Sequence, residues 1–386
     1  MSGEACGGPA RAQKCYNIFV LWILMCAPAA GGETVDASLP IAMPFSEAVG
    51  MGGAGLALAR GATGLLYHPA SAAWRREEDT KHIGLSTALS LMRVGADEPV
   101  DLSNTAIDGA QWAGWLLGTG ASGFVGRSGG GASVSALQYA RDDTRIRIGD
   151  GHVALSRLSV NHHVAGGLGL RMLLVEVNVD GTSSWFQGLG GEVGAVMSDD
   201  SGGWNLGGVI RSPVRAAVRE SSLDIDTVAL PWQASMGIAW VSRAANRSTR
   251  LPVRLAADLV VDGPVSDGVT LEPLLHDEVV PRGAGLSYSP RVGGELEVLP
   301  ERLRLRGGSY IEPARSVDAE PRIHGTAGFE VKLFHLKLPW GLLDNDLTWE
   351  GSVDIADRYT NASWIGIGLW HRGVVGGQGA IGPSVD

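Results

Sequence analysis

Catalysis and metal binding need converging side chains, and the chain offers few. His162 and His163 are adjacent, so on a strand they would point to opposite faces and could not chelate one metal. A loop or rim position suits them better. The acidic pairs Asp142 and Asp143, Asp199 and Asp200, Asp224 and Asp226, and Asp344 and Asp346 fall in apparent turns. Carboxylates there mostly serve solvation and at best hold calcium weakly. H-E-x-x-H does not occur. Gly50, Gly52 and Gly55 satisfy G-x-G-x-x-G, but no strand precedes them and no strand, helix, strand alternation follows, which argues against a dinucleotide site. No catalytic residue, metal site or cofactor is expected.

Charge in rows is the remaining candidate. Arg302, Arg304 and Arg306 alternate with Leu303 and Leu305, placing three guanidinium groups on one strand face. Glu350, Asp354 and Arg358 would share a face of a later strand. A water-filled or ligand-filled lumen tolerates such rows, and a sandwich core does not. The two rows are expected to pair as a structural charge network inside a narrow barrel. A solvated face of an ordinary antiparallel sheet has the same period, so period alone leaves that alternative open.

The elements that would hold these residues begin after an export signal. Arg11 and Lys14 precede the apolar run Ile18 to Met25, followed by Ala27-Pro28-Ala29-Ala30. Residues 1–30 therefore read as a cleaved signal peptide, because about 15 apolar residues fall short of the roughly 20 a spanning helix needs. All three cysteines, Cys6, Cys15 and Cys26, lie within it, so the mature chain would carry no disulfide. Net charge is −10 with both signs mixed along the chain, which disfavours nucleic acid. The 56 glycines and 18 prolines among 386 residues suit a turn-rich all-β chain. After the signal no strongly apolar stretch of 18 residues occurs; Gly109 to Gly126 comes nearest and is broken by glycines. A membrane role then requires the other permitted structure, a closed β-barrel in contact with lipid.

Alternation supports that fold. Ile83, Leu85, Thr87, Leu89 and Leu91 oppose Gly84, Ser86, Ala88 and Ser90 within His82 to Met92, and Val253 to Asp262 repeats the pattern. Leu347 to Tyr359 extends it to thirteen positions, with Trp349 and Tyr359 at the ends as aromatic girdle residues. Twelve to fourteen strands fit between Lys81 and Trp370, an even total being required. The expected organisation is a transmembrane antiparallel barrel over residues 80–372 and a tail over 373–386. Bacterial barrels commonly end on an aromatic residue, and the sequence ending in Ser384-Val385-Asp386 departs from that.

Before the first strand, residues 31–79 contain a glycine cluster beside a small-residue stretch, which allows close backbone packing in a confined space. Pro69 would close the short helical stretch before it. The block reads as a plug within a lumen. Gly50-Met-Gly-Gly-Ala-Gly-Leu-Ala-Leu-Ala59, with Gly50, Gly52, Gly53 and Gly55, followed by Tyr67-His68-Pro69-Ala70, resembles the G-M-G-G-A-G-x-A-x-A and Y-N-P-A pattern of the FadL-like outer-membrane proteins. That group includes fatty-acid and aromatic-hydrocarbon transporters and the PorV-type proteins of type IX secretion. Leu303 to Pro313 is similar to a late-strand segment of the same group. The resemblance implies a Gram-negative outer-membrane barrel of fourteen strands with an N-terminal plug. It also implies passive uptake of hydrophobic small molecules, or alternatively a secretion-associated barrel that binds protein partners. His68 stands where the group carries Asn and is expected to substitute for it in packing.

Overall fold

The computed structural model describes residues 33–39, 43–74, 83–95, 100–105, 112–199, 203–220, 223, 225–242, 251–276, 278–300, 302–317, 319–337 and 344–371. The expected signal peptide, residues 1–30, and tail, residues 373–386, lie outside them. Alternation sets the architecture. In β6 (Val164–Val179) Val164, Leu168, Leu170, Met172 and Leu174 are exposed, while Ala165, Leu173, Val175 and Val177 between them are buried. In β7 (Thr182–Ser198) Leu189, Val193 and Met197 face outward and Glu192 is buried between them. An outer face of aliphatic side chains around buried charge is the inverse of a soluble protein and the signature of a membrane-spanning barrel.

The remaining strands are β1 (Glu33–Asp36), β2 (Ile83–Val94), β3 (Ala113–Val125), β4 (Ser128–Arg141), β5 (Thr144–Leu158), β8 (Trp204–Arg211), β9 (Val214–Glu220), β10 (Ile225–Leu230), β11 (Gln233–Val241), β12 (Val253–Asp262), β13 (Gly268–Val269), β14 (Ser287–Leu299), β15 (Leu303–Glu312), β16 (Arg322–Lys337), β17 (Asp344–Ala356) and β18 (Tyr359–His371). Fourteen close a ring: β2 to β8, β11, β12 and β14 to β18, with β18 pairing antiparallel to β2. Closure leaves no sheet edge in the bilayer. The expected fold class and strand number are both present.

One sector of the wall is built differently. β8 and β9 are two halves of one strand interrupted at Ser212-Pro213, and β10 and β11 are interrupted at Pro231-Trp232. Proline cannot donate to a ladder. Ser212 carries β7 past the first break: its N–H donates to the Gly191 carbonyl at 2.8 Å, and its Oγ accepts from the Gly191 N–H at 2.9 Å. Beyond the second break the far edge of β10 pairs with β1 in parallel, Thr34 opposite Thr227 and Asp36 opposite Ala229. The other edge of β1 pairs in parallel with β13. Residues 33–36, expected inside the lumen, are thus part of the sheet.

Two long connections, residues 95–112 and 263–286, leave the same end of the barrel, which marks it as the extracellular one. They are cross-braced: Glu272 accepts from Ser103 Oγ at 2.5 Å and from the Tyr139 hydroxyl at 3.0 Å. Asp36 receives Arg315 at 2.8 Å, and Arg282 donates to the Ser38 carbonyl at 2.7 Å and to that of Ser103.

Two expectations fail at hairpins. Arg302 sits exposed in the turn between β14 and β15 and not on the inward face. The thirteen-residue strand from Leu347 stops at Ala356, because Asp357 and Arg358 form a tight turn with Arg358 at φ 54°. Arg358 is accordingly exposed at the rim, and Tyr359 starts β18 as a buried residue instead of a girdle residue. Trp349 does face outward.

Candidate functional site: the lumen and its N-terminal segment

Residues 43–74 lie against inward-pointing positions of the wall, and glycine makes that possible on both sides. A Cβ on Gly52 (φ 61°) would stand 2.6 Å from the Ser309 nitrogen, and one on Gly50 3.1 Å from the Gly328 Cα. From the wall side, a Cβ on Gly308 would meet Gly52 N at 2.5 Å, and one on Gly167 the Pro69 carbonyl carbon at 2.4 Å. Gly53 (φ 70°) is hemmed by Arg291 and Met43. Gly55 differs, since nothing lies within 4 Å of its would-be Cβ. Its N–H is what matters there.

The wall grips the segment through its backbone. Asp258 on β12 accepts from the N–H groups of Gly55 at 2.7 Å and Leu56 at 2.8 Å. Arg211 on β8 donates to the carbonyls of Leu66 at 2.6 Å and Tyr67 at 3.0 Å. His68 grips in the reverse sense. Its Nδ1 accepts from the Ala70 N–H at 2.9 Å, and its Nε2 lies 3.0 Å from the carbonyls of both Ala195 and Gly208. An accepting Nδ1 and a donating Nε2 describe one neutral tautomer. Burial favours the same state, holding the His68 pKa below the ordinary imidazole value. His68 caps the 3₁₀ turn Pro69–Ala72, and Pro69 opens that turn instead of closing an earlier one.

Between segment and wall is a cavity of about 170 Å³. Met43, Phe45, Leu56 and Leu66 line it from the segment, and Leu137, Ile148, Leu173, Leu230 and Val260 from the strands. Four of its charged lining residues, Asp150, His152, Arg171 and Arg211, are held in one paired network, and Asp258 and Arg291 line it as well. Arg171 holds Asp150 through two nitrogens at 2.6 and 2.9 Å; His152 bridges Asp150 at 3.3 Å and Glu192 at 3.2 Å; Arg211 donates to Glu192 at 3.0 Å and to Gln233 at 2.6 Å. Two lining residues keep an unsatisfied buried oxygen, Tyr67 Oη and Asp258 Oδ1. Burial also drives the Tyr67 hydroxyl well above the usual phenol range, so it stays a donor.

The predicted charge rows resolve into two separate networks. Arg304 and Arg306 do face inward. Arg306 donates to Glu295 at 2.8 Å and also pairs with Glu330, Arg304 donates to Glu330 at 3.1 Å, and Arg254 joins Glu295 at 3.0 Å. Glu350 lies directly across the ladder from Glu330. Asp354 belongs elsewhere, accepting from the Tyr310 hydroxyl at 2.7 Å and meeting His324 at 2.9 Å, with Glu312 on the other side of that ring at 3.1 Å. Asp258 and Arg211, which grip the segment, had no role assigned by sequence. Alternation alone put Asp258 on the inward face, and an acid there was the available signal. His162 and His163 lie in the turn between β5 and β6. Among the described residues no three acidic, histidine or cysteine side chains form a metal cluster.

No family model and no curated protein sequence matches the chain. Solved structures do. The toluene transporter TbuX of Ralstonia pickettii superposes with a TM-score of 0.57 at 12% identity, over 87% of this chain and 100% of that one. A FadL homologue of Pseudomonas aeruginosa gives 0.51 at 13% identity, over 88% and 98%. The toluene transporter TodX of Pseudomonas putida gives 0.50 at 11% identity, over 88% and 98%. The fourteen-stranded closed ring agrees with those superpositions, and the chain has the fold of the FadL-like outer-membrane β-barrels.

Proposed function

We propose that this barrel resides in the outer membrane and takes up a small hydrophobic molecule passively through the cavity beside its N-terminal segment, which acts as a plug. The observation that carries the proposal is the cavity itself: Met43, Phe45, Leu56, Leu137, Ile148 and Leu173 give it aliphatic and aromatic walls, and Asp150, His152, Arg171 and Arg211 beside them are already engaged in one ionic network, which favours a neutral guest. Size narrows the class. An apolar cavity of about 150 Å³ accommodates benzene, so about 170 Å³ suits a single aromatic ring. A long-chain acid would require the segment to move. The secretion-associated alternative gains no support from the similar structures.

The test is equilibrium binding of toluene and of a long-chain fatty acid to the detergent-purified chain, beside Ser135→Phe, which fills the cavity from its lining. Saturable toluene binding abolished by the substitution is the expected result, with toluene flux into proteoliposomes needing no energy source. Absence of saturable binding by the unmodified protein would sink the reading.

A further inference from the structure

A second recess lies on the outside of the wall. At one level near the extracellular end, Arg93, Trp115, Gln138, Arg147, Glu176 and Trp185 stand opposite one another in turn across β2 to β7. All six alternate with inward residues, so they form one outward row. Arg147 donates to Gln138 at 2.8 Å and to Glu176 at 2.7 Å, and Arg93 lies 5.9 Å from the Trp115 ring centre. Exposed tryptophans in register with charge mark the boundary between headgroups and hydrocarbon.

Immediately beneath this row the wall is hollowed. The next outward positions are Leu117, Ala136, Gly149 and Leu174, again directly opposite in the ladder. The small pair Ala136 and Gly149 forms a floor between the larger side chains, opening a trough of about 440 Å³. The pairing of β3 to β6 runs through it without a register shift, so this is a depression in an intact sheet. Its upper end is the hydrogen-bonded Gln138, Arg147 and Glu176.

On the strand faces at that end guanidinium groups outnumber carboxylates, with Asp142, Asp143 and Asp180 in the turns above them. Arg93, Arg145 and Arg147 face outward there, and Glu176 is the only outward carboxylate among the described residues of β2 to β7. Arg145 lies two residues, about 7 Å, beyond Arg147 toward the rim. An apolar trough in the hydrocarbon zone beneath outward guanidinium groups of the strand faces matches one kind of occupant: an acyl chain attached to a phosphate-bearing headgroup. We propose that the outer wall of β2 to β7 is a binding site for a bisphosphorylated, multiply acylated glycolipid of the outward leaflet, one acyl chain lying on Ala136 and Gly149 and its phosphates meeting Arg145 and Arg93. This site is independent of any cargo in the lumen.

Native mass spectrometry of the full mature chain in detergent tests it, with hexa-acylated glucosamine disaccharide bisphosphate as the probe and its dephosphorylated form beside it. Gly149→Leu fills the trough. A Cβ there would meet only Leu174 atoms, at 3.7 and 3.8 Å, an ordinary contact, so the barrel should still close. Gly166→Leu, on the same face but near the other end, is the control, since nothing lies within 4 Å of its Cβ. A double Arg93→Gln, Arg145→Gln variant probes the charge without touching the trough. One retained glycolipid per barrel is expected, bound roughly tenfold more weakly when either the phosphates or the two arginines are removed. Retention should be lost in Gly149→Leu and kept in Gly166→Leu. Equal retention by all variants, or of both lipid forms, overturns the proposal. A dimer that disappears with Gly149→Leu would give the trough to a second copy of the chain and overturn it as well.

Discussion

Gly52 and Gly55 share a motif and do different work. Gly52 is left-handed with the Ser309 nitrogen where a Cβ would go, so Gly52→Ala should destabilise by at least about 2 kcal/mol in urea unfolding from micelles. Gly55→Ala meets no atom and should stay within about 0.5 kcal/mol of the unmodified protein. Equal effects at the two positions would refute this steric account. Spacing in the sequence marked both glycines alike, because a motif reports that backbone comes close somewhere and not which Cβ would collide. His68 yields a pH prediction. Its folded-state pKa lies below the unfolded value near 6.5, so its contribution is complete above that pH and declines as pH falls toward the folded pKa. Protonating Nδ1 removes the cap on Ala70. Limited proteolysis should therefore release residues 43–74 more readily at pH 5 than at pH 8, and His68→Asn, which can cap without titrating, should flatten that difference. A protease profile unchanged by pH would remove His68 as the cause.

Among the elements, β1 is the one that sequence reading misplaced. Glu33-Thr-Val-Asp36 is too short to show a period, and its partners Ile225 to Ala229 and Gly268 to Val269 are about 200 residues away, so no local signal announces it. The tight turn at Asp357 and Arg358 escaped for a related reason. It carries neither glycine nor asparagine, and only Asp357 on the apolar face hinted that the strand had ended. Strands that hold a clean alternation, such as β12, were legible to the residue because each position answers to lipid or to lumen. The structural consequence at β1 is a wall strand held by side chains. Asp36 is fully buried against Arg315 and faces Arg282 at 3.7 Å. Asp36→Ala would leave two buried guanidinium groups without that acid, at a cost of about 3–5 kcal/mol confined to the rim. The expected result is cleavage by added protease within residues 33–43 while the barrel still resists SDS until heated. If instead the barrel loses SDS resistance, β1 is integral to closure of the whole ring.

For the whole molecule, closure and filling are separate problems solved by separate parts of the sequence. The fourteen-strand ring follows from alternation and hydrogen-bond completeness, and it was visible as a strand count. Filling depends on inward glycines such as Gly167, Gly293, Gly308 and Gly328, whose facing toward backbone can be known only once strands are in register. The clamps follow the same logic: Asp258 and Arg211 bind main-chain groups of Gly55, Leu56, Leu66 and Tyr67, so they tolerate side-chain change in the segment and depend on its path. A ring that closes on its own and a segment held by a few charge-assisted bonds should come apart in that order. Deleting residues 33–74 should leave a barrel that still shifts on heating in SDS gels, since none of its fourteen ring strands is removed. The same deletion should produce a steady ion conductance in planar bilayers where the full chain conducts little. Asp258→Ala combined with Arg211→Ala should give an intermediate, flickering conductance, because each lost charge-assisted bond is worth about 1.5–3 kcal/mol and the glycine packing remains. A silent deletion variant that is demonstrably folded would mean that the loops over the extracellular mouth, and not the segment, seal the lumen.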